Sequence, residues 1–140
     1  MTQEDKDLLI KDLCARLPYG VKFHFYPNKD SKQKEVITTV TGYDGDYQCV
    51  ETKTEGFNVR NIKLYLRPMS NMTEEERKYI SDRCGFSISG PIGNEWALIM
   101  PVLAADWLVD FYNEHHLDHR GLIPMGLALE APEGMYKLDK

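Results

Sequence analysis

The residues best suited to chemistry lie in one short run, EHHLDHR at positions 114–120. If the preceding helix continues through it, His115 and His119 stand at i and i+4 on one face, a spacing that can hold zinc. Glu114 or Asp118 would add a further ligand, and His116 stands beside them. The general-base glutamate of an H-E-x-x-H metalloprotease is absent from between the histidines, and no cysteine-rich ligand set accompanies them. The plainer reading is a helix C-terminus, where histidines sit favourably against the dipole and Asp118 and Arg120 make local hydrogen bonds.

A second group lies on two alternating stretches. If Val21, Phe23, Phe25, Ile62, Leu64 and Leu66 point inward, then Lys22, His24, Tyr26, Lys63, Tyr65 and Arg67 point outward. Bases alternating with tyrosines on a sheet suit single-stranded nucleic acid, because rings stack bases and cations follow the backbone. Lys29, Lys32, Lys34 and Arg60 extend the basic surface. Against this, strands commonly expose Lys, Arg and Tyr, and no RNP-type motif is present. Ser87 and Ser89 lack a G-x-S-x-G elbow, and Gly85, Gly90 and Gly93 lack the Lys and Ser/Thr of a phosphate loop. Asp106 and Asp110, four residues apart, read as the solvated stripe of an apolar helix rather than a cation site. No cofactor is expected.

These groups must be positioned by the following elements. Thr2 and Asp5 cap a helix over 3–17, which Pro18 and Gly20 end. The period then changes to two at 21–26. Val36 to Tyr43 reads as a β-branched strand, Asp44-Gly45 as a hairpin turn, Tyr47 to Glu51 as its return, and 62–67 as a fourth strand. The expected class is α+β, a four-stranded antiparallel curved sheet or small open SH3-like barrel with an N-terminal helix and C-terminal helices. The β-rich part covers 20–67, and 73–140 is helical and irregular.

Thr73 and Glu76 form a capping box for a helix to about Arg83. A glycine-rich loop follows, and Pro101 opens the most hydrophobic helix. There Asp106, Asp110, Asn113 and Glu114 form a narrow polar stripe. The rest of its surface, with Trp107, Phe111 and Tyr112, is core or an anchor for a protein partner. The tail packs by Leu122, Leu127 and Leu129.

A chain of 140 residues with 42% hydrophobic and 28% charged content fits a single folded domain, 1–140, with its own core. The net charge of −5 falls wholly in residues 84–140, which carry three basic and eight acidic groups, so that part is a poor polyanion surface. The first 83 residues balance and remain eligible. Cys14, Cys49 and Cys84 form no C-x-x-C pair, which points to reduced thiols and a cytoplasmic setting. The start MTQEDKDLLI lacks a secretory pattern, and no apolar run reaches the roughly 20 residues of a membrane span.

Two segments, IKLYLRPMSNMTEEE (62–76) and WLVDFYNEHHLDHRGLIPMGLALEAPEGMY (107–136), carry a resemblance. They are similar to a family of small proteins of uncharacterised activity from Bacteroides-type gut bacteria and their prophages or mobile elements. The shared segments are YLRPMSxMTEEE and HHxDxRGLIxxGLALEAP, and relatives often have tyrosine at the position of His119. The resemblance implies a small accessory protein of a phage or mobile element that binds rather than catalyses. The leading expectation is therefore a non-enzymatic protein acting on a protein partner through Trp107, Phe111 and Tyr112, or associating with a second copy of itself. Next comes a single-stranded nucleic-acid module using Lys22, Tyr26, Lys63, Tyr65 and Arg67. A metal-dependent enzyme at His115, His116 and His119 comes third.

Overall fold

A computed structural model describes residues 2–30, 32–84 and 106–136. In chain order the elements are α1 (Gln3–Ala15), β1 (Lys22–Phe25), β2 (Val36–Thr39), β3 (Gly42–Asp44), β4 (Cys49–Glu51), β5 (Gly56–Asn58), β6 (Ile62–Leu66), α2 (Glu74–Cys84), α3 (Asp106–Glu114) and β7 (Ala128–Glu130). Short 3-10 turns occupy Leu17–Tyr19, Val59–Asn61 and Met69–Asn71. The glycine-rich loop, Ser87, Ser89 and the expected helix start at Pro101 lie outside the described residues.

The N-terminal helix begins as its sequence predicts: Thr2 Oγ1 accepts from the Asp5 N–H at 3.0 Å, and the Asp5 carboxylate accepts from the Thr2 N–H at 3.3 Å. The chain leaves it through Gly20, whose φ of +69° is left-handed and costs a glycine little. Thr73 and Glu76 make the same reciprocal box for α2, at 3.1 and 2.8 Å. Thr73→Ala is therefore expected to cost about 1 kcal/mol in urea denaturation, and an unchanged midpoint would mean that the box contributes nothing.

The sheet arrangement corrects the sequence expectation. Instead of one antiparallel sheet or a small barrel there are two sheets, a mixed one ordered β2-β1-β6-β7 and an antiparallel one ordered β3-β4-β5. The physical reason lies at Val40 and Thr41, midway along the stretch read as one strand. The Val40 N–H donates to the Val21 carbonyl, whereas the Thr41 N–H donates to the Glu51 carbonyl, so the chain changes sheets there. A further departure is β7, which runs parallel to β6 and closes the mixed sheet from the tail. Parallel neighbours need a long crossover, and here that connection carries both later helices.

The inward set of β1 and β6 is buried as the alternation predicts: Val21, Phe23, Phe25, Ile62, Leu64 and Leu66 pack with Leu9 and Leu13 of α1, Phe57 of β5, and Leu122 and Leu127 of the tail. A second cluster joins α2 to α3 through Met72, Ile80, Leu108, Phe111 and Leu117. The polar stripe of α3 is narrower than expected, since Asp110 and Glu114 are exposed but Asn113 is buried. No described helix is long and apolar enough to cross a membrane.

Candidate functional site

The EHHLDHR run does not continue as a helix. α3 stops at Glu114, and His116 takes a left-handed φ of +58°. His115 and His119 therefore do not share a helical face. His115 Nδ1 lies 3.1 Å from Glu76 Oε2, and His119 Nε2 lies 3.1 Å from Asn113 Oδ1. The His116 ring stacks on Tyr136 with centroids 3.8 Å apart. Among the described residues no group of three or more His, Cys, Asp or Glu converges to hold a metal ion.

Two buried arginines fasten this run to the rest of the molecule. Arg16 of the α1 end pairs with Asp12 at 2.8 Å and donates to the Leu117 carbonyl at 2.7 Å. Arg67, just beyond β6, grips both oxygens of Glu76 at 2.7 and 2.9 Å and donates to the His115 carbonyl at 3.1 Å. Asp118 accepts the N–H groups of Leu122 and Ile123, and Arg120 reaches back to Asp12 at 2.7 Å. Electrostatics follow from this burial. His116 is pushed down to about 3 by desolvation and by Arg16 and Arg67; His119 is likewise pushed to about 3 by desolvation and Arg120. Burial would raise Glu76, but hydrogen bonds from Arg67, His115 and Thr73 outweigh it and hold the carboxyl far below its usual range. His116 and His119, held neutral, and the ionised Glu76, each spent on an internal partner or a buried face, form a folding hub.

The outer face of the mixed sheet is different. Opposed pairs bring His24 against Lys63, and the Tyr26 N–H donates to the Asn61 carbonyl at 2.7 Å. Beyond the last β1–β6 pair, Phe23 with Leu64, the Tyr136 hydroxyl bridges the two strands, donating to the Tyr65 carbonyl and accepting from the Lys22 N–H, both at 2.8 Å. Tyr65 is thereby covered and its hydroxyl meets His24 Nδ1 at 2.9 Å, while Lys22 Nζ donates to Thr39 Oγ1 at 2.9 Å. His24 also contacts Glu35 through Nε2, which pins the imidazole at both nitrogens. Tyr26 stacks on that fixed ring, with centroids 4.3 Å apart and planes 15° apart, and remains 38% exposed.

Beside this stack opens a cleft of about 380 Å³ lined by Tyr26, Arg60, Asn61, Ile62, Lys63, Gly126 and Leu127. It sits where the end of β1, the start of β6 and the approach to β7 meet. Neither Arg60 nor Lys63 has an ion-pair partner among the described residues.

Of the five residues read as a nucleic-acid face, the structure brings Tyr26 and Lys63 to the cleft and leaves Lys22 four residues before Tyr26, outside the cleft lining. Tyr65 is buried as a support for His24. Arg67 is 5% exposed and turned to Glu76. Arg60 and Asn61 complete the cleft; Arg60 was legible only as a nearby cation, and Asn61 had no signal in the alternation. The protein anchor fares similarly: Phe111 and Tyr112 are 7% and 4% exposed, Tyr79 stacks on Phe111 at 5.0 Å, and Arg83 lies 4.7 Å over the half-buried Trp107. Comparison of the chain with family models, curated proteins and solved structures finds no match.

Proposed function

We propose that this chain is a non-enzymatic binding protein and that its ligand is single-stranded nucleic acid, held on the outer face of the mixed sheet. One observation carries the reading: an exposed tyrosine propped on a fixed imidazole stands at a cleft with two cations that have no ion-pair partner among the described residues. Stacking platforms beside cationic grooves are the common means of holding unpaired bases and their phosphates. The histidines of the 114–120 run, by contrast, are engaged in the hub around Arg16 and Arg67. A protein partner gripped by Trp107, Phe111 and Tyr112 is disfavoured, because that helix face is already packed into the second core.

The test is fluorescence anisotropy with a labelled dT12 strand. With two phosphates neutralised, affinity should fall about sevenfold between 50 and 200 mM NaCl, from a slope of about −0.7 per phosphate for single strands. The pair Arg60→Glu and Lys63→Glu should abolish binding without changing the thermal midpoint. Equal binding by this variant, or no binding of any strand at 50 mM NaCl, would overturn the proposal.

A further inference from the structure

Resting on that reading, we infer that the cleft is a subsite for one nucleotide unit, with the base laid on Tyr26 and its phosphate between Arg60 and Lys63. The cleft is at the small end of ligand pockets, which span about 300–1,000 Å³, so it suits one ring and one phosphate rather than a run of bases. Its two sides differ in chemistry. Ile62, Leu127 and the tyrosine ring are apolar, whereas Arg60 and Lys63 bring positive charge with no ion-pair partner among the described residues.

A bare phosphate would use only the charged side and leave the ring and the aliphatic wall idle. An acidic peptide would likewise satisfy the cations but gives a flat ring nothing to stack on. A planar heterocycle joined to a phosphate uses both. The platform is also pre-set. Tyr65 and Glu35 hold the two nitrogens of His24, and His24 backs Tyr26, so less side-chain freedom is lost when a base arrives. Gly126 lines the rim without a side chain: its φ of +77° favours glycine, and a Cβ there would meet no atom of the described residues within 4 Å.

The shared chemistry is a base with its phosphate, which a free nucleotide or one unit of a strand can supply. The experiment titrates the full chain with adenosine 5′-monophosphate, ribose 5-phosphate, a dA6 strand and an abasic six-unit strand. Wild type is compared with Tyr26→Leu and Tyr26→Phe. The base should strengthen binding roughly tenfold or more in both matched pairs of probes, as one stacking contact does. Tyr26→Leu should erase that difference while leaving the abasic strand unaffected, and Tyr26→Phe should keep it.

If dA6 and the abasic strand bind equally, or Tyr26→Leu leaves dA6 unchanged while Arg60→Glu with Lys63→Glu abolishes it, the subsite is overturned and the nucleic-acid reading survives. If adenosine monophosphate matches dA6 and both need Tyr26, the subsite holds and the ligand is the free nucleotide. If poly-glutamate displaces dA6 as readily as an equally charged strand does, the cleft reads charge only and the inference falls.

Discussion

Replacing Arg67 by methionine is expected to lower the unfolding free energy by about 3–5 kcal/mol, the usual cost of leaving a buried charge without its partner. The guanidinium is fully engaged: Nη1 and Nη2 bond the two Glu76 oxygens, Nη1 also reaches the His115 carbonyl, and Nη2 and Nε bond Asn71. One side chain thus ties the end of β6, the Met69–Asn71 turn, α2 and the run after α3. Without it, Glu76 keeps only His115 and the Thr73 N–H among the described residues, in a buried setting. Arg67→Lys should rescue little, because an ammonium cannot reproduce a planar fork. Removing both charges with Arg67→Met and Glu76→Leu should recover much of the loss, since no unpaired charge remains. Denaturant melts of the four proteins measure this directly, and a cost below about 1 kcal/mol for Arg67→Met would contradict the role given to the hub.

Acid should unfold the protein at unusually mild pH. His116 and His119 are each held near 3 in the fold against an ordinary 6.5, first by burial and then by the neighbouring arginines. A depressed histidine favours the unfolded state on protonation, so its contribution is whole above pH 6.5 and erodes as pH falls toward 3. Each histidine can remove up to about 1.4 kcal/mol per pH unit, so the two together remove about 5 kcal/mol between pH 6.5 and 4.5. That is comparable with the whole stability of many domains, about 5–15 kcal/mol. Glu76 acts in the same direction: its carboxyl is held below the ordinary 4.5, so its contribution is present above that pH and lost as pH falls further. Urea melts from pH 7.5 to 4.5 should show stability dropping throughout the lower half of the range, with close to two protons taken up on unfolding. His119→Gln should remove one of them. Flat stability between pH 7 and 5 would show that these histidines are not held neutral.

Much of the frame was legible because it rests on local rules. The alternation of Val21, Phe23 and Phe25 with polar residues, and of Ile62, Leu64 and Leu66 with theirs, fixes which face is buried. The boxes at Thr2 and Thr73 are local geometry as well. What was not legible is non-local. The change of sheet depends on the Val40 N–H finding the Val21 carbonyl, a partner outside the hairpin that the Asp44-Gly45 turn signals, while the Thr41 N–H keeps to Glu51 within it. The β7 strand is a three-residue segment whose partner lies more than sixty positions earlier, and short glycine-flanked segments carry little periodicity.

At the candidate site, alternation placed Tyr26 and Lys63 correctly on the outer face but could not foresee what would cover it. Tyr136 arrives from the tail over Tyr65, and Glu76 draws Arg67 away, so two residues of the expected face became structural. The histidine run misled for a related reason. Its spacing is a metal-ligand pattern only while the helix lasts, and the left-handed turn at His116 ends that relation.

Binding of a single strand at the cleft is tested by amide chemical-shift mapping of the labelled protein on addition of dA6. Saturable changes are expected to concentrate at residues 24–26, 60–63 and 126–127, with α3 unaffected. Changes centred on Val109, Asp110 and Glu114, or none at saturating strand, would contradict it.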